Sequence, residues 1–264
     1  DPRIQNGFVA FFANKYRYRK DVENLDSTQL YLLARHGAGR KDPQRQEKLI
    51  KEILARKDKV AKRVRPMALW ELGMIMNRRR LNVDAAKAFM EIAKEHPKHR
   101  RAATAAHLAA TSLWRVIIQR EKNRRQVQRS LRKDCMEAIE LAITFIGKTS
   151  KQDAEKLKLE HWYYTLGEQC DKLSSWTRGQ PQAERLGWME KAAAAFAKVP
   201  PDPPAKRLEG MNLSLVMRYR LLQARERHPD RHKMAMDLRG GFRKFIPVAV
   251  KAAKDPAYKD NAAA

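Results

Sequence analysis

The chain has 264 residues, 43% of them hydrophobic, which suffices for one large domain or two small ones around a continuous core. Lys and Arg number 56 against 30 Asp and Glu, a formal net charge of +26; a field of this sign attracts nucleic acid, anionic lipid or an acidic protein without choosing among them, and it also suits a merely solvated surface. Charges interrupt every hydrophobic run before the roughly 18 apolar residues that a membrane-spanning helix needs, so a soluble chain is expected.

Apolar residues recur at helical intervals almost throughout, and strand alternation and Asn-Gly hairpin turns are scarce, so the fold class reads as all-α. The opening third predicts helices over Phe8–Tyr18, Thr28–Arg35 and Pro43–Val60, separated by polar segments and by "HGAGRKDP". A helix over 84–95 follows, with Ala85, Phe89, Ile92 and Ala93 in one stripe, Asp84 placed as its N-cap and His96-Pro97 as its stop. The next, about 99–121, aligns Ala102, Ala106, Ala109, Leu113 and Ile117, and its alanines allow another helix to approach closely.

Beyond the polar break at Glu121–Arg125, Val127, Leu131, Cys135, Ala138, Ala142 and Phe145 make one face, ended by Gly147. Leu159, Trp162, Leu166, Cys170 and Leu173 repeat the pattern over 153–174, and Leu186, Met189, Ala193 and Phe196 do so before "VPPDPP" stops the helix. Two more helices are predicted over 205–227, with Leu208, Met211, Leu215, Tyr219 and Leu222, and over 230–253, where Gly240-Gly241 and Pro247 should bend or interrupt the rod. "KDPAYKDNAAA" reads as a frayed tail.

Stacked helical hairpins with a period of about 34 residues need small residues where helices touch and a breaker where the chain turns. Leu72-Gly73, Ala85, Phe89 and Pro97 provide them in order, and Leu166-Gly167, Ala192, Phe196 and Pro200 do so again after a longer loop. On these residues the chain resembles the tetratricopeptide repeat family, although Trp70 falls one residue late and Ile92 replaces a second small residue. "AFAKVPPDPPAKRLEGM" and "EIAKEHPKHRRAATAAHLAATSL" are similar to bacterial versions, including repeats of cell-envelope assembly and scaffold proteins, and "EHPKHRRA" is echoed by "RHPDRHKMA". The resemblance implies a right-handed superhelical stack of antiparallel helix pairs over 63–254, with 1–62 packing irregularly upon it and 255–264 as tail. An irregular helical bundle is the alternative.

The resemblance also places residues of the first helix of each pair on a concave, ligand-binding wall. Trp70, Asn77 and Arg78 occupy those positions in the first match, and His161, Tyr164, Glu168 and Asp171 in the second. The set lacks the Lys/Asn cluster with which some relatives clamp a peptide carboxylate, so an aromatic and polar groove for a peptide or partner protein is implied. Trp70 and Tyr164 suit ordinary core equally well.

The densest charge runs from Lys98 to Lys133. It holds Arg100, Arg101, Arg115, Arg120, Lys122, Arg124, Arg125, Arg129 and Arg132, opposed only by Glu121, which suits phosphate contact. "KYRYRK" at 15–20 interleaves Tyr16 and Tyr18 with cations, as base stacking would require, but Tyr16 equally fits the apolar stripe of Phe8 and Phe12. "RGGF" at 239–242 adds little to that reading.

Phosphate-loop, zinc-helix and nucleophile-elbow motifs are missing from the sequence, and pairs such as Glu137 with Glu140 look like ordinary surface acids. His96 with His99 and His228 with His232 have helix-compatible ligand spacing, but no nearby Cys or acid completes a tetrahedral set. Cys135 and Cys170 are too few for a disulfide framework and lie on the apolar sides of their helices, so core packing is expected. The expectation is a non-enzymatic scaffold without metal or cofactor that binds a peptide or protein, an acidic one suiting the net charge of +26; the alternative is nucleic-acid binding through 98–133. Asp1-Pro2 at the start is expected to mark a trimmed or processed chain, so the compartment is left as cytoplasm or, after loss of a signal segment, the cell envelope.

Overall fold

The computed structural model of the chain describes residues 24–36, 42–148, 159–175, 180–199, 204–225 and 229–254, and among these there is no strand. Ten helices follow in order among the described residues: α1 (Ser27–His36), α2 (Pro43–Ala55), α3 (Lys59–Arg78), α4 (Asn82–Glu95), α5 (Ala102–Lys122), α6 (Arg129–Ile146), α7 (Leu159–Ser174), α8 (Gln182–Ala197), α9 (Pro204–Ala224) and α10 (Arg231–Lys254). The expected helix at Phe8–Tyr18, the "KYRYRK" segment, His228 and the tail from 255 lie outside the described residues.

Side chains set the first three helix starts. Asp26 and Gln29 form a reciprocal box, the Asp26 carboxylate accepting from Gln29 N at 2.8 Å and Gln29 Oε1 accepting from Asp26 N at 3.1 Å. Asp42 accepts from the backbone N–H groups of Gln44 and Arg45, with Pro43 in the first turn. Asp58 accepts from Ala61 N at 2.8 Å and so opens α3. That cap divides the helix expected over Pro43–Val60: α2 ends at Ala55, and Val60 belongs to α3, which runs through Pro66.

The exits of α3 and α5 share one geometry. Arg80 has φ of 61° and Arg124 φ of 53°, both left-handed. Leu81 N donates to Met76 O and Arg80 N to Asn77 O, while Arg125 N donates to Arg120 O and Arg124 N to Glu121 O. This is the Schellman pattern, which glycine usually completes. The chain then enters α4 at once from Leu81, with no side-chain cap, so Asp84 lies inside the first turn and is not the N-cap that its position predicted. α10 runs without interruption through Gly240, Gly241 and Pro247, where a bend or an interruption was expected.

The helices gather into two compact units, Asp1–Val127 and Gln128–Ala264. In the first, each of α1 to α5 packs on the next, and α1 also reaches α3. Leu30, Leu33, Leu49, Ile50 and Ile53 form with Val64 and Ala68 a core that joins α1 and α2 to α3. The stripes predicted for α4 and α5 are buried: Ala85, Phe89, Ile92 and Ala93 on one, and Ala102, Ala106, Ala109, Leu113 and Ile117 on the other. In the second unit, each of α6 to α10 packs on the next, and α7 also touches α9. Cys135 and Cys170 are free thiols buried in its interior.

The stripe predicted for α9 is only partly met: Leu215 is buried and Leu208, Met211 and Leu222 are half-buried, but the buried face is shifted away from Tyr219. Tyr219 is exposed and bonded to Gln223, whereas Gly210, Ser214, Met217 and Leu221 face inward. Two residues that carry no apolar signal cause the shift. A Cβ on Gly210 would stand 2.9 Å from the Phe196 carbonyl, and the Ser214 hydroxyl donates to Ala193 O at 2.9 Å, so α9 lies directly on the backbone of α8.

Candidate functional site

Two helix pairs are joined by the same device. Gly73 of α3 lies beneath the ring of Phe89 from α4, where an added Cβ would be 2.5 Å from the ring, and Gly167 of α7 lies beneath Phe196 from α8 at the same 2.5 Å. In each case an aromatic residue three positions before the glycine meets that phenylalanine. Trp70 and Phe89 have ring centroids 5.6 Å apart, and Tyr164 and Phe196 have theirs 5.7 Å apart, edge to face. Ala85 and Ala192, one helical turn before the phenylalanines, are fully buried.

Trp70 is therefore half-buried between Phe89 and the Arg101 guanidinium, which lies 4.6 Å over the indole. Near the end of the same helix, Asn77 keeps its Oδ1 shielded from solvent without a hydrogen-bond partner among the described residues, and Arg78 is exposed. Arg101 carried only a charge in the sequence; its stacking on Trp70 was not legible from spacing.

In the second unit, His161, Tyr164, Glu168 and Asp171 fall along α7. The Tyr164 hydroxyl donates to the Glu209 carboxylate, and Arg220 donates to Asp171 Oδ1 at 2.9 Å, so both tie α7 to α9. Burial first, then the bond to Glu209, pushes the Tyr164 pKa upward. His161 sits with its ring 5.2 Å from that of Trp162, and Glu168 is half-buried. Glu209 and Arg220 are the members of this seam that sequence reasoning missed, since each reads as an ordinary helical charge.

The basic run is divided between the two units. Arg129 and Lys133 of α6 both reach Glu184 of α8, at 2.8 and 3.1 Å, and their bonds hold its carboxyl below the usual range, Lys133 contributing most. Lys133 and Lys191 flank the Trp188 ring at 5.9 and 5.5 Å, and Arg132 donates to Gln169 at 2.6 Å. Those cations are engaged in joining helices. In the first unit Arg100 is exposed and Arg120 approaches Gln126 O at 3.5 Å. Arg124 and Arg125 stand exposed at the exit of α5 with no ion-pair partner among the described residues.

His96 buries its Nε2 without a hydrogen-bond partner among the described residues and His99 Nδ1 accepts from Arg101 N, while burial, aided by Arg101 and Arg100, lowers the His99 pKa. Among the described residues no three His, Cys, Asp or Glu side chains converge as a metal site would require. No helix among them is long and apolar enough to cross a membrane. A cavity of about 590 Å³ opens between α9 and α10, lined by Leu221, Met234, Met236 and Gly240 with Arg218, Asp237 and Lys244 at its polar edge.

Comparison of the chain with protein-family profiles and with curated proteins returns no match.

Proposed function

We propose that the chain is a non-enzymatic interaction scaffold of the tetratricopeptide-like kind, in which α3 of the first unit and α7 of the second each supply a groove wall for a peptide or partner protein. Each unit is then a right-handed stack of antiparallel helix pairs. The short connection at residues 79–81 supports antiparallel packing, because so few residues cannot carry the chain back along a helix. One observation carries the reading: the aromatic–Gly–Phe joint occurs twice with the same contacts, in Trp70, Gly73 and Phe89 and in Tyr164, Gly167 and Phe196. Partner contacts would fall on Trp70, Asn77 and Arg78, and on His161, Tyr164, Glu168 and Asp171. The net charge of +26 favours an acidic partner.

A second reading, polyanion binding by Arg100, Arg101, Arg120, Arg124 and Arg125, is favoured by one feature. Arg124 occupies a left-handed site that glycine fills at lower cost, and its guanidinium has no ion-pair partner among the described residues. Affinity capture on the full chain, with and without nuclease, separates the two. Polypeptides that survive digestion, and that are lost on substituting Arg78 and Asn77 with Ala, support the groove. Retention abolished by nuclease and by Arg124→Glu with Arg125→Glu, with a steep loss on adding salt, supports the polyanion reading and overturns the first.

A further inference from the structure

α10 carries more exposed apolar surface than any other described helix. Of the nine large hydrophobic residues exposed among the described residues, five belong to it. Its inner face is accounted for: Leu238 and Ala252 are buried, and a Cβ on Gly241 would stand 2.6 Å from Leu215 of α9. On the adjoining face Phe242, Ile246 and Val250, spaced four apart, remain 38, 55 and 50% exposed. α6 is the contrast within the same unit. Its exposed positions are Ser130, Lys133, Asp134, Glu137 and Thr144, as a solvated helix requires.

The charge around the stripe selects its occupant. α10 contains seven Lys or Arg and a single Asp. Arg239 lies one turn before Phe242 on the same stripe and Arg243 beside Ile246, and neither has an ion-pair partner among the described residues. A second copy of the chain would bring two cationic stripes together, at a net charge of +26 on each. A lipid surface would also meet the positive charge, with the guanidinium groups reaching its headgroups, but it makes no use of the regular four-residue spacing of the stripe. A helix with a leucine stripe at i, i+3, i+4 and i+7 flanked by carboxylates satisfies both at once.

We propose that the Phe242–Ile246–Val250 stripe, with Arg239 and Arg243, docks an acidic amphipathic helix of a partner protein. This surface is separate from the groove positions on α3 and α7 and stands whether or not those bind anything. The probe is a fluorescent synthetic helix with leucines at i, i+3, i+4 and i+7 and glutamates beside them, titrated with the full chain. A scrambled peptide of the same composition and vesicles of phosphatidylcholine with phosphatidylserine are run beside it. The patterned helix is expected to bind at least about tenfold more tightly than the scrambled one. Ile246→Asp with Val250→Asp should weaken it by a similar factor, and Arg239→Glu with Arg243→Glu should do the same. All four residues are solvent-facing, so unchanged circular dichroism is expected; if the aspartate pair unfolds, Phe242→Ser with Ile246→Ser reads the same face. Equal binding of both peptides, binding indifferent to these substitutions, or an Ile246- and Val250-dependent capture by vesicles in place of the helix overturns the proposal.

Discussion

Gly73 lies so close under Phe89 that no side chain fits between them: a Cβ would be 2.5 Å from Cε1 of a ring that is itself fully buried. Gly73→Ala is therefore expected to destabilise the fold, because overpacking costs about 1–3 kcal/mol and the gain of alanine over glycine in a helix offsets only about 1 kcal/mol of it. The same holds for Gly167→Ala beneath Phe196. Gly187 faces open space in α8, so Gly187→Ala should instead add about 0.5–1 kcal/mol. Urea midpoints for the three variants check the sign. Adding Phe89→Leu should shrink the cost of Gly73→Ala, and a Gly73→Ala variant as stable as Gly187→Ala would rule the joint out.

Arg80 and Arg124 hold the left-handed position of their helix exits at φ of 61° and 53°. An L-residue gives up roughly 1–2 kcal/mol there relative to the right-handed conformation, and glycine is free of that cost. Arg80→Gly and Arg124→Gly are each expected to raise stability by about 0.5–1 kcal/mol, since glycine's looser unfolded chain takes back part of the gain. Val at either position should lower it. Equilibrium denaturation of the two glycine variants decides the matter: a fall in midpoint would mean that the arginine side chains contribute contacts beyond the turn.

What the sequence disclosed and what it hid follow from the kind of signal each residue emits. Phe89, Ala85 and Ala106 announce their burial by helical spacing, and Gly73 and Gly167 by recurring before the same Ala and Phe. Val60 was assigned to the wrong helix because Asp58 reads as one more charge until its carboxylate is seen on Ala61 N. Asp84 looked like a cap because it precedes an apolar run, but the left-handed Arg80 had already turned the chain. Hydropathy is silent about Gly210 and Ser214, whose smallness lets α9 touch α8, and so the predicted stripe wrongly included the exposed Tyr219 beside the buried Leu215. Among the proposed groove residues, Tyr164 and Asp171 do share one side of α7, but Glu209 and Arg220, their partners on α9, lie too far along the chain for local pattern to reveal.

Arg207 of α9 closes the end of α8 from outside, its Nη1 donating to Ala197 O at 2.8 Å and to Val199 O at 2.6 Å. The Ala197 carbonyl ends the last turn of α8 and Val199 follows just past its C-cap, where the carbonyls lack helical partners and face the negative end of the helix dipole. Arg207→Met is expected to cost about 1.5–3 kcal/mol, the range for hydrogen bonds to a charged group. Arg207→Lys should recover part of it through charge alone. Amide exchange localises the effect: protection should fall at the end of α8 and the start of α9, and a loss spread evenly over the second unit would contradict a capping role.

Cys135 and Cys170 test the core of the second unit by their silence. Both are fully buried, and burial pushes each thiol pKa up from 9.0 to about 12. The reactive species is the thiolate, so neither side chain should react with a thiol reagent at pH 8 while the fold is closed. Labelling should become rapid in denaturant, and at low denaturant its rate should follow the opening of α6 and α7. A folded pKa above the unfolded one means that the native state holds these protons more tightly. The linked stability is thus fully present below pH 9 and is lost as the pH rises toward 12. Cys135→Ala with Cys170→Ala should start from a lower melting temperature, because each leaves a small void, but should lose less on going from pH 8 to pH 10. Fast labelling of the native chain at pH 8, or an unchanged alkaline slope in the double variant, would show that the thiols are not sealed between α6 and α7.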